Sequence, residues 1–316
     1  MKPNLVHAEH TARLASIDPL LPKPAQLAAA EGQVLLTATA GESTAVGLAK
    51  YVEHAPDSET ATWVPLRNHL LTVRVAGPDQ ASALDALLDR WAEHLADRVE
   101  VGDQETALTV NWPSRDIEAV PALIRHGLAP LMTIAARPAG RPTLAPWATG
   151  LLVRRAGPDD LDVAVALNML DVTYDAQFGM VTERAGSSAR LHDSIAEVLA
   201  RPEPCAWLAE RDGRAVGLLY VDLPAHADWI AHLVAGGPVG YLGCLAVVPD
   251  ARGGGVGTAL TAEAHRALDE AGVAVTLLHH AVPNPRSTPF WYSHGYRPLW
   301  TTWLRRPAVR ASTGNG

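Results

Sequence analysis

The stretch Val247-Val248-Pro249-Asp250-Ala251-Arg252-Gly253-Gly254-Gly255-Val256-Gly257-Thr258-Ala259-Leu260 carries the most chemistry in this 316-residue chain. It reads as a buried strand, a turn almost bare of side chains and the first turn of a helix, so that several backbone N–H groups are left pointing one way. The helix N-terminus adds partial positive charge, and four glycines in the five positions 253–257 let a bulky diphosphate approach the main chain without meeting a Cβ. Spacing separates the kinds of phosphate loop. A Walker loop ends in Gly-Lys-Ser/Thr, whereas Gly257 is followed by Thr258-Ala259. A dinucleotide fingerprint needs G-x-G-x-x-G after the first strand of a βαβ unit, but here Gly255-x-Gly257-x-x runs into Leu260, late in the chain. What remains is R-x-x-G-x-G, satisfied by Arg252, Gly255 and Gly257.

That pattern resembles the acyl-CoA pyrophosphate loop of the GNAT superfamily of N-acetyltransferases. The resemblance implies that acetyl-CoA lies in a V-shaped gap where a fourth and a fifth strand splay apart. Its diphosphate would sit on Arg252, Gly253, Gly254, Gly255, Val256, Gly257 and Thr258, and its pantetheine along the backbone of Leu245, Ala246 and Val247. The segment Asn284-Pro285-Arg286-Ser287-Thr288-Pro289-Phe290-Trp291-Tyr292-Ser293-His294-Gly295-Tyr296 resembles the family pattern N-x-x-A-x-x-Φ-Y-x-x-x-G-F. It implies that Asn284 bonds the pantetheine or the neighbouring backbone, and that Ser287 takes the small position facing the cofactor. The tyrosine that can protonate the leaving thiolate is replaced by Trp291, and Tyr292 follows one step later, where a helical side chain is turned by ~100°. Tyr292 is the candidate general acid, since a phenol that reaches the sulfur can donate to it. Where many family members carry a glutamate base on the fourth strand, this chain has Tyr241. His279 and His280, at the end of the fifth strand, are the candidate bases, because imidazole titrates near neutral pH. The histidines show no H-x-x-x-H or cysteine partner spacing, so no metal is expected.

The elements that must position these residues form a repeat. His126-Gly127-Leu128-Ala129-Pro130-Leu131-Met132-Thr133 echoes His294-Gly295-Tyr296-Arg297-Pro298-Leu299-Trp300-Thr301. A strand at Leu71 to Val75 leads into a helix striped by Leu84, Leu87, Leu88, Trp91 and Leu95. In the same way Leu245 to Val248 leads into one striped by Leu260, Ala264, Ala267, Leu268 and Ala271. In place of the glycine loop the first copy has Pro78-Asp79-Gln80-Ala81-Ser82-Ala83, which brings a carboxylate and no glycine. The resemblance, taken with the repeat, implies the fold class α/β (α+β), with two tandem GNAT-like domains. Each is a mixed, mostly antiparallel sheet flanked by helices, with a splayed β4/β5 pair. A degenerate copy spans 1–138, a Pro/Gly-rich linker 139–150, and a copy with the acyl-CoA site 151–316. Two-domain GNAT enzymes such as mycothiol synthase are similar in length and duplication, a likeness of architecture only. In the second copy, strands are predicted at 151–154, 206–210, 215–221, around Tyr241, at 273–278 and as closing strands around 298–304. Helices are predicted from Leu161 past Leu170, over 188–199 and over 287–294.

Composition narrows the class. With 26 Lys+Arg against 34 Asp+Glu the net charge is −8, which gives no broad basic surface for nucleic acid. Cys205 and Cys244 form no metal or redox motif and suit a reduced cytosol. No leader pattern and no apolar run of ~20 residues is present, so a soluble cytoplasmic protein away from membranes is expected. The function the resemblance implies is direct transfer of acetyl from acetyl-CoA to an amine, a small molecule in preference to a protein. The alternative is an acyl-CoA-binding sensor without catalysis, or an enzyme that acylates hydroxyls or uses longer chains. The duplication fits a monomer that acts as a pseudo-dimer, or a homodimer.

Overall fold

The computed structural model describes residues 3–310. In chain order its elements are α1 (Pro3–Ile17), β1 (Val34–Ala40), β2 (Ser43–Glu53), β3 (Arg67–Ala76), α2 (Gln80–Ala96), β4 (Thr106–Pro113), α3 (Val120–Arg125) and β5 (Ala129–Pro138). After a stretch without helix or strand come β6 (Leu152–Arg155), α4 (Leu161–Asp175), α5 (Ser187–Leu199), β7 (Ala206–Arg211), β8 (Arg214–Asp222), α6 (Asp228–Ala231) and β9 (Val239–Val247). The chain closes with α7 (Val256–Glu270), β10 (Val275–Ala281), α8 (Ser287–Ser293) and β11 (Arg297–Arg305). The predicted closing strands are thus one long strand, and the predicted domain end at 316 lies outside the described residues. No described helix is long and apolar enough to cross a membrane.

The chain divides into two compact units, each a mixed sheet with helices. Unit 1 takes the residues up to 56, then 65–133 and those from 298 on; unit 2 takes 57–64 and 134–297. In unit 1 the strand order is β1-β2-β3-β4-β11, and in unit 2 the 134–138 end of β5 lies beside β10 in the order β5-β10-β9-β8-β7-β6. The closing strand β11 therefore belongs to unit 1, and the far half of β5 to unit 2. The linker expected at 139–150 falls within unit 2.

Each unit repeats one device. In unit 1, β3 and β4 pair in parallel from Arg67–Thr106 to Leu70–Thr109, and in unit 2, β9 and β10 pair in parallel from Val239–Val275 to Leu242–Leu278. Both pairs separate after four residues, although their strands run on. The helix that follows the first strand of each pair packs by an apolar stripe. α2 buries Leu84, Leu87, Leu88, Trp91 and Leu95, and α7 buries Val256, Leu260, Ala264 and Leu268. The echoed octapeptides have a shared structural cause. Each ends a short helix in a Schellman turn, with Leu128 N–H donating to Leu123 O and Tyr296 N–H to Trp291 O, both at 3.1 Å, and both C″ residues are buried.

Between β8 and β9 the register slips. Tyr220 faces Cys244 and Val221 faces Leu242, which leaves Gly243 as the extra residue of a bulge. A Cβ on Gly243 would lie 2.3 Å from a carbon of the Tyr220 ring, so only glycine admits that ring. The bulge falls where β9 and β10 begin to separate.

Candidate functional site

A cavity of about 510 Å³ opens in unit 2 at the end of β9. Leu245, Ala246 and Val247 line it from the strand, and Arg252, Gly253, Gly255, Val256, Gly257 and Thr258 line it from the loop and the first turn of α7. Gly254 does not reach the lining, and its N–H donates to Ala251 O at 3.4 Å. The N–H groups of Gly253, Gly255, Val256, Gly257 and Thr258 make no hydrogen bond among the described residues. They form the donor cluster that a 15-residue helix offers to an anion. Gly255 caps that helix at φ +79°, a conformation side chains rarely take, and the indole of Trp147 lies 3.0 Å from where a Cβ would project.

Two guanidinium groups border the same end. Arg252 and Arg286 stand over the Tyr174 ring, with Cζ at 5.5 and 4.6 Å from its centroid. Arg252 is anchored by its Nε, which donates to Val247 O at 3.0 Å. Burial, then the nearby Arg286 charge, lower its pKa. Bare amides and two cations at one mouth suit a diphosphate, so these residues fit the phosphate end of coenzyme A.

The separation of β9 from β10 supplies the rest of the groove. Past Leu242 and Leu278 the two strands no longer bond each other, so the β10-facing edge of β9 is open up to Val247. A main-chain donor fixed at such an edge can stabilise charge developing on a thioester oxygen, an effect worth roughly 3 kcal/mol.

Asn284, Ser287 and Trp291 also line the cavity. The Asn284 side chain is committed to protein groups. Its Oδ1 accepts from the N–H of Arg286 at 2.9 Å and of Ser287 at 3.2 Å, and its Nδ2 donates to Asp175 Oδ1 at 3.0 Å. Trp291 is 7% exposed and packs edge-on against Phe290 and Tyr296.

The three predicted acid–base residues lie outside the lining. Tyr292, one position past Trp291 on α8, is 40% exposed and meets the ring of His280 at 5.9 Å; its pKa is raised by burial. His279 holds its Nδ1 3.1 Å from the Tyr241 hydroxyl, and its ring lies parallel to that of Trp229. Burial, helped by His280, takes its pKa down to about 4, so it is neutral at pH 7. His280 is 4% exposed, with Nδ1 3.3 Å from Ala281 O and 3.5 Å from the Thr288 hydroxyl, and burial lowers its pKa as well.

Among the lining residues that the sequence does not single out, one is acidic. Asp171, on α4 one turn before Tyr174, is the sole carboxylate that lines the cavity among the described residues. Burial, reinforced by Asp175 and opposed by Arg252, pushes its pKa up to about 7. The signal available was a pair of carboxylates at i and i+4, Asp171 and Asp175, on a helix read only for its apolar stripe.

Residues 169–296 match the sequence profile of the Acetyltransferase (GNAT) family. No curated protein matches the chain. Among solved structures, a GCN5-related N-acetyltransferase from Sphaerobacter thermophilus is similar at TM-score 0.52 and 19% identity, over 86% of this chain and 83% of that one. A GCN5-related N-acetyltransferase from Kribbella flavida is similar at TM-score 0.46 and 17% identity, over 94% and 96% of the two chains. A tandem GNAT protein from the clavulanic acid biosynthesis pathway gives TM-score 0.47 and 16% identity, over 96% and 93%.

Proposed function

We propose, from the premise that residues 169–296 form a domain of the acetyltransferase (GNAT) family, that this chain moves an acetyl group from acetyl-CoA directly to an amine in the cavity of unit 2. The observation that carries this reading is the continuity of one groove. Unbonded amides of the Gly253 to Thr258 turn lead into the open edge of β9, where its pairing with β10 has ended. A diphosphate, a pantetheine arm and a thioester require those features in that order.

Each part of the chain has a separate task in this reading. The turn and Arg252 and Arg286 hold the anionic end, and the β9 edge orients the thioester. Trp291 and Phe290 form an apolar wall. The acceptor nitrogen bonds to the acetyl carbon as the carbon–sulfur bond breaks, and the sulfur leaves with the bonding pair. A thiolate is a tolerable leaving group, so the position of Tyr292 outside the lining is compatible with turnover. Cys244, buried and with its pKa raised well above that of a free thiol, is unsuited to forming an acyl-enzyme, which favours direct transfer.

Titration calorimetry with acetyl-CoA, followed by free-thiol release with a panel of amines, tests the proposal. Binding with amine-dependent thiol release is expected, and absence of binding overturns it. A second reading, acyl-CoA binding without transfer, draws on the fact that His279, His280 and Tyr292 do not line the cavity. Binding without thiol release from any amine, alcohol or longer acyl donor selects that reading.

A further inference from the structure

Acetyl transfer to an amine has one demand that neither the turn nor the β9 edge meets. The attacking nitrogen loses a proton, and the fourth-strand position that holds a glutamate in many relatives is here Tyr241. Its phenol lies against His279 and has its pKa raised by burial. The histidines at the end of β10 do not reach the cavity. The groove itself contains one side chain able to take a proton near neutral pH.

We propose that Asp171 is a catalytic residue, the carboxylate that receives the proton the acceptor amine gives up as it attacks the thioester. This rests on the acetyl-transfer reading and deepens it, since a carboxylate there also selects acceptors that arrive as ammonium ions. The geometry supports the role in three ways. Asp171 projects into the cavity from α4, and one turn later Tyr174 carries the two guanidinium groups of the anionic end. Asp171 stands within electrostatic reach of both Arg252 of the loop and Cys244, the residue that precedes the exposed strand edge. Its carboxylate makes no hydrogen bond or ion pair among the described residues, in contrast to Asp175, which accepts from Asn284. The groups that act on it are the Asp175 carboxylate on the same helix and the Arg252 guanidinium of the loop; its own charge is felt by Cys244 and Tyr241 of β9 and Tyr220 of β8. Burial and Asp175 hold its affinity for a proton high, with Arg252 the opposing charge. A base of this kind can take the proton of an ammonium and later release it to solvent.

The step balances without a further reactant. An acceptor that arrives as an ammonium ion first gives one proton to Asp171 and from there to water; the freed nitrogen lone pair forms the N–C bond, the C–S pair leaves on sulfur, and the second nitrogen proton ends on the departing thiolate.

The test compares wild type, D171N and D171E by acetyl-CoA calorimetry and by turnover against pH with the amine panel. For D171N, retained acetyl-CoA binding and a loss of about 10²–10⁴-fold in kcat are expected, together with disappearance of the activity limb that rises near pH 7. D171E keeps the carboxylate and is expected to recover part of the rate and the limb, so the assignment stays testable even if D171N fails to fold. Wild-type activity in D171N, with an unchanged pH profile, overturns the assignment and leaves acetyl transfer standing. A wild-type protein that binds acetyl-CoA but acetylates nothing overturns both.

Discussion

Asp79 and Gly255 hold the same post in the two units, each the N-cap residue of the helix that follows the first strand of a separating parallel pair. At α2 the Asp79 carboxylate accepts from the Ser82 N–H at 3.0 Å, so the helix end already carries its own anion. At α7 the corresponding amides are bare.

Moving that charge across should disable the site. Gly255→Asp and Gly255→Asn impose the same steric load on a position with positive φ and differ by one charge. Both are expected to weaken acetyl-CoA binding. The aspartate variant should bind about tenfold more weakly than the asparagine variant, which calorimetry at low salt will read. Equal affinities would remove the diphosphate from α7.

Tyr174 holds two guanidinium groups on one ring. Tyr174→Ala should free both and raise the KM for acetyl-CoA about 3- to 10-fold with little change in kcat. The effect should shrink for an acetyl-pantetheine donor, which lacks the diphosphate. A fall confined to kcat would contradict this placement.

Gly243 gives way to the Tyr220 ring at the bulge, so Gly243→Ala should cost about 1–3 kcal/mol and lower Tm. Because the bulge marks where β9 leaves β10, acetyl-CoA affinity should fall as well. An unaltered Tm would mean that the ring can move aside.

The pH dependence of stability has two opposing sources. His10, His265 and His279 are held by burial at pKa values of about 3, 3 and 4, against an ordinary 6.5 in the unfolded chain. Below pH 6.5 the unfolded state takes up protons that the folded state refuses, so stability falls as pH drops toward 4. Asp171 acts with the opposite sign. Its folded pKa of about 7 exceeds the ordinary 3.8, so its charge destabilises the fold above pH 7 and ceases to do so near pH 4. Thermal melts should find D171N more stable than wild type at pH 8, with the gap closed at pH 4. A gap that does not vary with pH would contradict the raised pKa of this half-buried carboxylate.

The strand, glycine turn and helix around residue 255 could be read from the sequence because their signals are local: a glycine run, an arginine at fixed spacing and an apolar stripe of period 3.6 after it. The octapeptide echo was legible for the same reason, since each copy encodes one helix-ending turn. Tertiary placement was not available from such signals. On a strand end, His279 and His280 look like side chains beside the reaction, but the separation of β10 from β9 carries them out of the groove. Asp171 was missed for the converse reason. A carboxylate on a helix reads as a solvated face until the sheet beneath it is known to open there.

The exchange of closing strands also bears on the order in which the protein can be made. Unit 1 lacks the strand β11 until residues from 298 on have been translated, so its sheet keeps a raw edge until then. A chain cut at 139–150 would leave each fragment holding a strand that completes the other. Neither should stay monodisperse alone, and the two expressed together should reassemble. The nascent amino-terminal strands are thus open to edge pairing with other chains until β11 is made.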